Sequence, residues 1–215
     1  MSLHDQLRAV HENRRRSIAA EAIEVMDRNG RELAASDLTE RALGVGAPAP
    51  RFTLPAATGQ RVALDGLLAD GPVVLTFYRG AWCPYCNLAL RALQEQHDAI
   101  TARGARLVAV SPQIPDESLT LAEKERLAFD VLSDIGSEVA AQFGIAFDLS
   151  DELGTLYDQL GFDLKRVNAG HSRTLPLPAT FVIDRTGTIR WAFVQTDYAL
   201  RAEPADILAA LDALD

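Results

Sequence analysis

The sequence predicts an α/β domain: a mixed sheet with helices on both faces, preceded by a helical extension. Three observations carry this. Residues 72–78 and 105–111 are continuous apolar runs, the pattern of strands buried on both faces. They alternate with stretches whose apolar residues recur at helical spacing. A final pair of apolar runs is joined by Arg185-Thr186-Gly187, a hairpin signal. Parallel crossovers followed by an antiparallel hairpin make a mixed sheet.

Each element follows in order. Residues 2–28 read as one helix, with Leu3, Leu7 and Val10 on a stripe and Ile18, Ala22, Val25 and Met26 on another. Ser2 with Asp5 gives a capping start, and Asn29-Gly30 a stop. Such a stripe needs a surface, either the chain's own domain or a second copy, and a homodimer through residues 2–28 is the expectation. A short helix covers residues 36–43. The Gly- and Pro-rich stretch 44–60 sets the boundary between an extension, residues 1–43, and a domain, residues 44–215. Phe52, Thr53 and Leu54 form an edge strand flanked by prolines.

Strand 72–78 leads to a helix over 84–102, with Leu90, Leu93, His97 and Ile100 on one stripe. Strand 105–111, a helix over 116–127, strand 128–133 and a helix over 137–143 come next. A helix near 151–160 is followed by an irregular stretch to Pro176. Strands 180–184 and 188–194 flank the hairpin turn. Pro204 opens a last helix, at its favoured first position, running to Leu214.

The chain has 215 residues, enough for one domain with a real core. Hydrophobic residues make up 48%, which excludes general disorder. No run approaches the roughly 18 apolar residues of a membrane span. The start lacks the apolar region of a secretory signal, and Asp5, Glu12 and Glu21 argue against a transit peptide, so a cytoplasmic location is expected. A net charge of −9 speaks against nucleic acid as a partner. The one basic cluster, Arg14, Arg15 and Arg16, reads as a solvated helix face or an oligomer contact.

The chemistry concentrates at the two cysteines, Cys83 and Cys86. Two cysteines placed at random fall three apart about one time in a hundred, so the spacing is informative. In a reducing compartment such a pair is catalytic or transient rather than structural. Phe77-Tyr78-Arg79-Gly80-Ala81-Trp82-Cys83-Pro84-Tyr85-Cys86 joins a buried strand to a helix start. Pro84 suits the first turn, where its missing N–H has no partner. Cys83 then sits at the N-cap and Cys86 one turn in. The partial positive charge of a helix N-terminus favours a thiolate, and Arg79 adds to it where its side chain points at the site. A tightened first turn brings the pair within reach of a disulfide, which needs Cβ atoms about 3.5–4.5 Å apart. Two plainer readings compete. Both cysteines can be inert core residues. They can also be half of a zinc site, but His4, His11, His97 and His171 form no His-x₃₋₅-His pair. No metal and no organic cofactor are expected. Trp82 and Tyr85 serve packing, site shaping or both.

The segments APAPRFTLPAATGQRVAL, PVVLTFYRGAWCPYC, LVAVSPQ and ATFVIDRTGTIRWAFV, in this order and spacing, resemble the alkyl hydroperoxide reductase/thiol-specific antioxidant group of the thioredoxin superfamily. More narrowly they look like its peroxiredoxin-like members with a Cys-x-x-Cys. The resemblance spans about residues 44–214. It implies a thioredoxin-like fold and a thiol-dependent peroxidase acting on hydroperoxides. Aligned through Phe77-Tyr78, Arg79 falls at the proline of the family's Pro-x-x-x-Thr-x-x-Cys, Cys83 at its threonine and Cys86 at its peroxidatic cysteine. By that alignment Cys86 attacks the peroxide and Cys83 resolves it to an intramolecular disulfide. A thioredoxin-like or glutathione-type thiol then reduces the disulfide.

The family's peroxide-polarising arginine, shortly before a Thr-Phe strand, is replaced by Pro178. A proline there is a thioredoxin feature, so the expectation is a cis Leu177–Pro178 bond facing Cys83, with an ordinary strand-start proline as the plainer alternative. Arg79 and the backbone N–H groups of the helix start are the substitutes for the arginine. His171 and Arg173, in the preceding loop, are candidates to reach the site or simply exposed. Two other functions stay open. One is a thiol–disulfide oxidoreductase with Cys83, the outermost thiol, as nucleophile. The other is a non-catalytic redox sensor using the N-terminal helix as a partner surface.

Overall fold

A computed structural model describes the chain except residues 116, 118–125, 172 and 215. Its centre is a five-stranded sheet. In chain order the strands are β3 (Val73–Phe77), β4 (Arg106–Ser111), β5 (Asp130–Ser133), β8 (Ala179–Ile183) and β9 (Ile189–Val194), in the order β5-β4-β3-β8-β9. β3 is the middle strand, parallel to β4 and antiparallel to β8. All five of its residues are buried, as its continuous apolar run requires. Its side chains alternate. Val74 faces one core, with Leu90, Ile100 and Ile207, while Val73, Leu75 and Phe77 face the other, with Leu64, Phe143 and Phe181. The mixed sheet with helices on both faces is therefore as the sequence predicts, and β8 and β9 form the expected hairpin around Gly187, at φ +85°.

The helical extension departs from expectation. Residues 2–28 do not form one helix but α1 (Leu3–Ser17) and the start of α2 (Ala20–Ala34). Ser2 caps α1 as expected, its Oγ accepting the Asp5 N–H at 3.1 Å. The break falls at Ile18 and Ala19, which are extended, and Arg15 donates two hydrogen bonds to the Asp27 carboxylate at 2.7 and 3.0 Å, bringing the two helices together. Asn29-Gly30 does not stop α2: the Asn29 amide donates to Val25 O at 2.9 Å within the helix. The stripe on α1 closes on the chain's own domain, with Leu3 and Leu7 4% and 2% exposed in the core beside Leu90 and Ile207. The α1 part of the surface that suggested a homodimer is thus covered within one chain, while Val25 and Met26 of the second stripe are only partly buried. α3 (Leu38–Arg41) is the expected second short helix.

The first edge strand is β1 (Thr53–Pro55), paired with β2 (Arg61–Ala63), which the sequence reading missed along with α4 (Leu64–Asp70). The helix over 84–102 divides into α5 (Pro84–Glu95) and α6 (His97–Ala102). At the break His97 turns onto the Phe129 ring, 6.2 Å away and stacked. The helix expected over 116–127 falls largely outside the described residues. Helix α7 (Glu138–Gln142) is shorter than expected, after a 3₁₀ turn at Ile135–Ser137. The irregular stretch contains β6 (Ala146–Asp148), α8 (Asp151–Gln159), α9 (Leu164–Val167) and β7 (Thr174–Pro176), with β6 and β7 paired as a separate ribbon. α10 (Pro204–Asp212) opens with its proline as predicted. Among the described residues no helix is long and apolar enough to cross a membrane.

Candidate active site

The strand-to-helix turn is fixed by short-range constraints. Gly80 sits at φ +141°, and a Cβ there would lie 2.4 Å from Trp82 Nε1, so only glycine fits. The Ala81 N–H donates to Gln113 Oε1 at 2.6 Å, and the Asn87 amide donates to Ala81 O at 2.9 Å. Cys83 is the N-cap of α5 and Pro84 its first residue. The N–H groups of Cys86 and Asn87 both donate to Cys83 O, at 3.1 and 3.2 Å, so the first turn carries the tighter three-residue bond expected from the sequence.

Both thiols are free and buried, Cys83 at 2% exposure and Cys86 at 0%. Cys83, the outermost sulfur, is the less buried by this small margin, but neither sulfur is open to solvent. The chain covers its own helix start: α1 and α2 close over it, leaving above Cys83 a crevice of about 30 Å³ between His11, Arg14, Met26, Trp82 and Tyr85. That is room for little more than one water molecule.

The two sulfurs are not equivalent. Burial pushes the Cys83 thiol well above its ordinary value, and its hydrogen bond to Cys86 adds to this. Burial also opposes ionisation of Cys86. Against it stand the hydrogen bond from Cys83, the Arg201 guanidinium and the Arg79 backbone N–H, and together they hold Cys86 well below its ordinary value. Arg201 Nη2 donates to Cys86 Sγ at 2.9 Å, while its Nη1 donates to the carbonyls of Tyr198 and Leu200 at 2.7 and 2.6 Å. Arg201 was missed in the sequence. It lies 115 positions from Cys86, in a loop with no motif around it.

Arg79, a predicted site residue, is in place and 3% exposed. Its Nη2 donates to the Tyr157 hydroxyl at 2.6 Å, and its Nε has no partner. The guanidinium lies 4.9, 5.5 and 5.4 Å from the ring centres of Trp82, Tyr157 and Tyr198. Burial, with Tyr157 nearby, pushes the Tyr198 hydroxyl up to about 12. Trp82 and Tyr85 both pack and shape the site. Trp82 lies against Tyr157 and Phe162, and Tyr85 meets Tyr198 edge-on, its hydroxyl 3.3 Å from His11 Nδ1.

Pro178 is a correction. The described residues include no cis peptide bond, so Leu177–Pro178 is trans. The Leu177 N–H donates to Ile145 O at 2.8 Å and Ala179 already pairs with Val194, so the chain runs extended from β7 into β8 and a trans bond continues that line. Pro178 lines a cavity of about 310 Å³ on the far side of Arg79, which Cys83 does not line. The His171 ring lies against Gly136 and the Arg173 guanidinium against Gly154, and neither lines the crevice over Cys83.

Residues 45–192 match the AhpC/TSA family. The chain belongs to that family. This AhpC/TSA chain is 33% identical to "Peroxiredoxin Bcp" of Escherichia coli K12 over 116 residues, 54% of this chain and 73% of the relative. It is 27% identical to "Peroxiredoxin Q, chloroplastic" of Gentiana triflora over 145 residues, 67% of this chain, and spans only 56% of that relative's length. Among solved structures, Peroxidoxin BcpB from Mycobacterium tuberculosis superposes with a TM-score of 0.64 at 26% identity, covering 80% of this chain and 99% of that one. The AhpC/TSA match ends at residue 192, so Arg201 lies beyond it.

Proposed function

We propose that the protein is a thiol-dependent peroxidase of the peroxiredoxin type, with Cys86 as the attacking thiolate and Cys83 as the resolving thiol. Residues 44–215 act as the catalytic domain and residues 1–43 as a helical cover. The observation that carries the reading is the Arg201 guanidinium, 2.9 Å from Cys86 Sγ. A cation at that distance stabilises a thiolate and stands where charge develops on a leaving oxygen. This supplies what the loss of the family arginine at Pro178 takes away.

In the first step the Cys86 thiolate attacks the terminal oxygen of ROOH. The O–O bond breaks, and RO⁻ takes up a proton and leaves as ROH. Cys86 is left as a sulfenic acid. In the second step the Cys83 sulfur attacks the Cys86 sulfur, its proton and the departing hydroxide leave as water, and a disulfide forms. An external thiol returns the pair to the reduced state, which suits a reducing compartment such as the cytoplasm. The oxidoreductase alternative drew on a cis proline facing Cys83; Leu177–Pro178 is trans and Pro178 lines a cavity that Cys83 does not, which weakens it.

The test is a stopped-flow measurement of the reduced protein with hydrogen peroxide, together with mass spectrometry of a Cys83→Ser variant. The expected result is fast oxidation and a sulfenic acid trapped at Cys86. Slow oxidation combined with fast exchange on a disulfide substrate would reject the peroxidase reading.

A further inference from the structure

We propose that the thiol which reduces the Cys83–Cys86 disulfide is a small, carboxylate-bearing molecule, received at a mouth formed by Arg14 and Arg79, and not another protein. The proposal rests on the peroxidase reading and names the reductant of that same site.

Access is the first argument. Cys83, the sulfur that lines the crevice, is 2% exposed, and Cys86 does not reach the crevice at all. A protein thiol must bring its own helix end or loop against the attacked sulfur. Here α1 stands in the way, and α1 is not loosely held. Leu3 and Leu7 are in the core, and the Glu203 carboxylate accepts the Leu3 and His4 N–H groups at 3.3 and 2.6 Å. α2 is held less deeply: none of its residues is buried, though Val25, Met26 and Leu33 pack partly buried against the body and Arg28 and Asn29 reach Glu152 and Ser150. α1, seated in the core by Leu3 and Leu7, keeps a protein out, while a small molecule needs only the crevice over Cys83.

Charge is the second argument. The chain carries −9, yet Arg14, Arg15 and Arg79 all line this crevice. Asp27, the carboxylate beside them, is taken by Arg15. Arg14 has no ion pair among the described residues. Arg79 Nε is buried without a partner, which is costly for a charged group unless something completes its bonding. The sequence left the Arg14–Arg16 cluster as a solvated face, but folding turns Arg14 toward the sulfurs. Space is the third. The cavity of about 310 Å³ shares Met26, Arg79, Tyr157 and Tyr198 with the crevice and is at the small end of ligand-sized sites. It gives the body of a small thiol a place beside Arg79.

The chemistry balances with two equivalents of thiol. A thiolate RS⁻ attacks Cys83 Sγ, the S–S bond breaks, and the electron pair leaves on Cys86 Sγ beside Arg201. A second RS⁻ attacks the sulfur of the bound R group, releasing RSSR and the Cys83 thiolate, which takes up a proton.

The test uses the full chain, converted to the disulfide with diamide so that no step depends on peroxide. Reduction is followed by tryptophan fluorescence with glutathione and mercaptosuccinate, with neutral 2-mercaptoethanol, with cationic cysteamine, and with a reduced thioredoxin. Rates are compared per thiolate. The expected result is that the anionic thiols outpace the neutral one by about threefold to tenfold and cysteamine lags it, the advantage shrinking as salt rises. Arg14→Ser brings the anionic-to-neutral ratio towards one. Faster reduction by thioredoxin than by glutathione at equal concentration would overturn the proposal. So would rates indifferent to thiol charge, or a disulfide that diamide cannot form. Failure of hydrogen peroxide to oxidise the protein, with the charge preference intact, would instead reject the peroxidase reading alone.

Discussion

The segment from Phe77 to Cys86 and the loop from Gln195 to Glu203 meet at one sulfur, and they are held by different means. In the first, the turn is shaped mostly by local constraints, with Gln113 and Tyr157 adding hydrogen bonds from elsewhere in the chain. The buried strand β3 delivers the chain, Gly80 makes the turn beside Trp82, and Pro84 starts the helix with Cys83 as its cap. In the second, the constraints come from far away in the sequence. The Gln195 N–H donates to Pro178 O, Glu203 holds the N-terminus of α1, and Arg201 reaches Cys86. The first region places the sulfurs and, through Cys83 and the Arg79 N–H, favours a thiolate at Cys86; the second adds the Arg201 guanidinium. A site can thus have a rigid, sequence-encoded nucleophile and an activator that exists only in the assembled fold.

The comparison breaks most severely at the sulfurs themselves. Cys86→Ser abolishes peroxide reduction, while Cys83→Ser permits one oxidation and then stalls, as read by peroxide consumed per protein. Multiple turnovers by Cys86→Ser with a reductant supplied would hand the nucleophile's role to Cys83.

Next comes the activator. Arg201→Met removes a charge-assisted hydrogen bond of about 1.5–3 kcal/mol, or roughly one to two pKa units, and slows peroxide oxidation about tenfold to a hundredfold at neutral pH. The sign is explicit. Cys86 in the native protein is held below its ordinary value, so its alkylation rate is expected to climb less steeply from about pH 7 to 9 than that of an ordinary thiol. An ordinary thiol near 8.5 loses reactivity about tenfold per pH unit below its pKa. Arg201→Met raises the value, and the alkylation profile then climbs more steeply with pH across this window. A profile unchanged from the native one would show that the local segment alone sets the thiolate.

A smaller effect tests Arg79. Tyr157→Phe deletes the hydroxyl that accepts from Arg79 Nη2 and should slow peroxide oxidation by about threefold to tenfold with little loss of stability. An unchanged rate would leave Arg79 a packing residue. The smallest effect is expected at Glu203→Ala. Losing a carboxylate at the α1 N-terminus costs about 1 kcal/mol by denaturant unfolding. It also loosens the loop that carries Arg201, which a modest upward shift of the Cys86 alkylation midpoint would record.

What was legible in the sequence follows this same division. Cys83, Cys86, Pro84 and Arg79 could be placed because their neighbours in the chain are also their neighbours in space. The apolar strands and the terminal hairpin were legible for the same reason. Arg201 gave no signal, since its loop has neither periodicity nor motif and its partner lies across the fold. Pro178 misled because a proline before a strand fits either isomer, and only the pairing of Leu177 with Ile145 and of Ala179 with Val194 decides between them. The break at Ile18 and Ala19 was hidden by apolar repeats that continue on both sides of it. That a stripe exists was readable; that α1 spends it on its own domain was not.

Arg79 and Arg201 surround the sulfur pair with two guanidinium groups, and their described hydrogen bonds go to a hydroxyl, two carbonyls and a sulfur, never to a carboxylate. In the dithiol state the Cys86 thiolate answers that charge. In the disulfide state that negative charge is gone, and the buried Arg79 and part-buried Arg201 lose it. The reduced protein is then the electrostatically favoured partner of the couple, and the site should have an oxidising reduction potential, above the roughly −270 mV of thioredoxin. A potential at or below that value, measured against a glutathione buffer, would show that solvent reaches the arginines once the sulfurs join. On the peroxidase reading, a site poised in this way gives up its disulfide readily, and turnover is limited by meeting a peroxide more than by recovering from one.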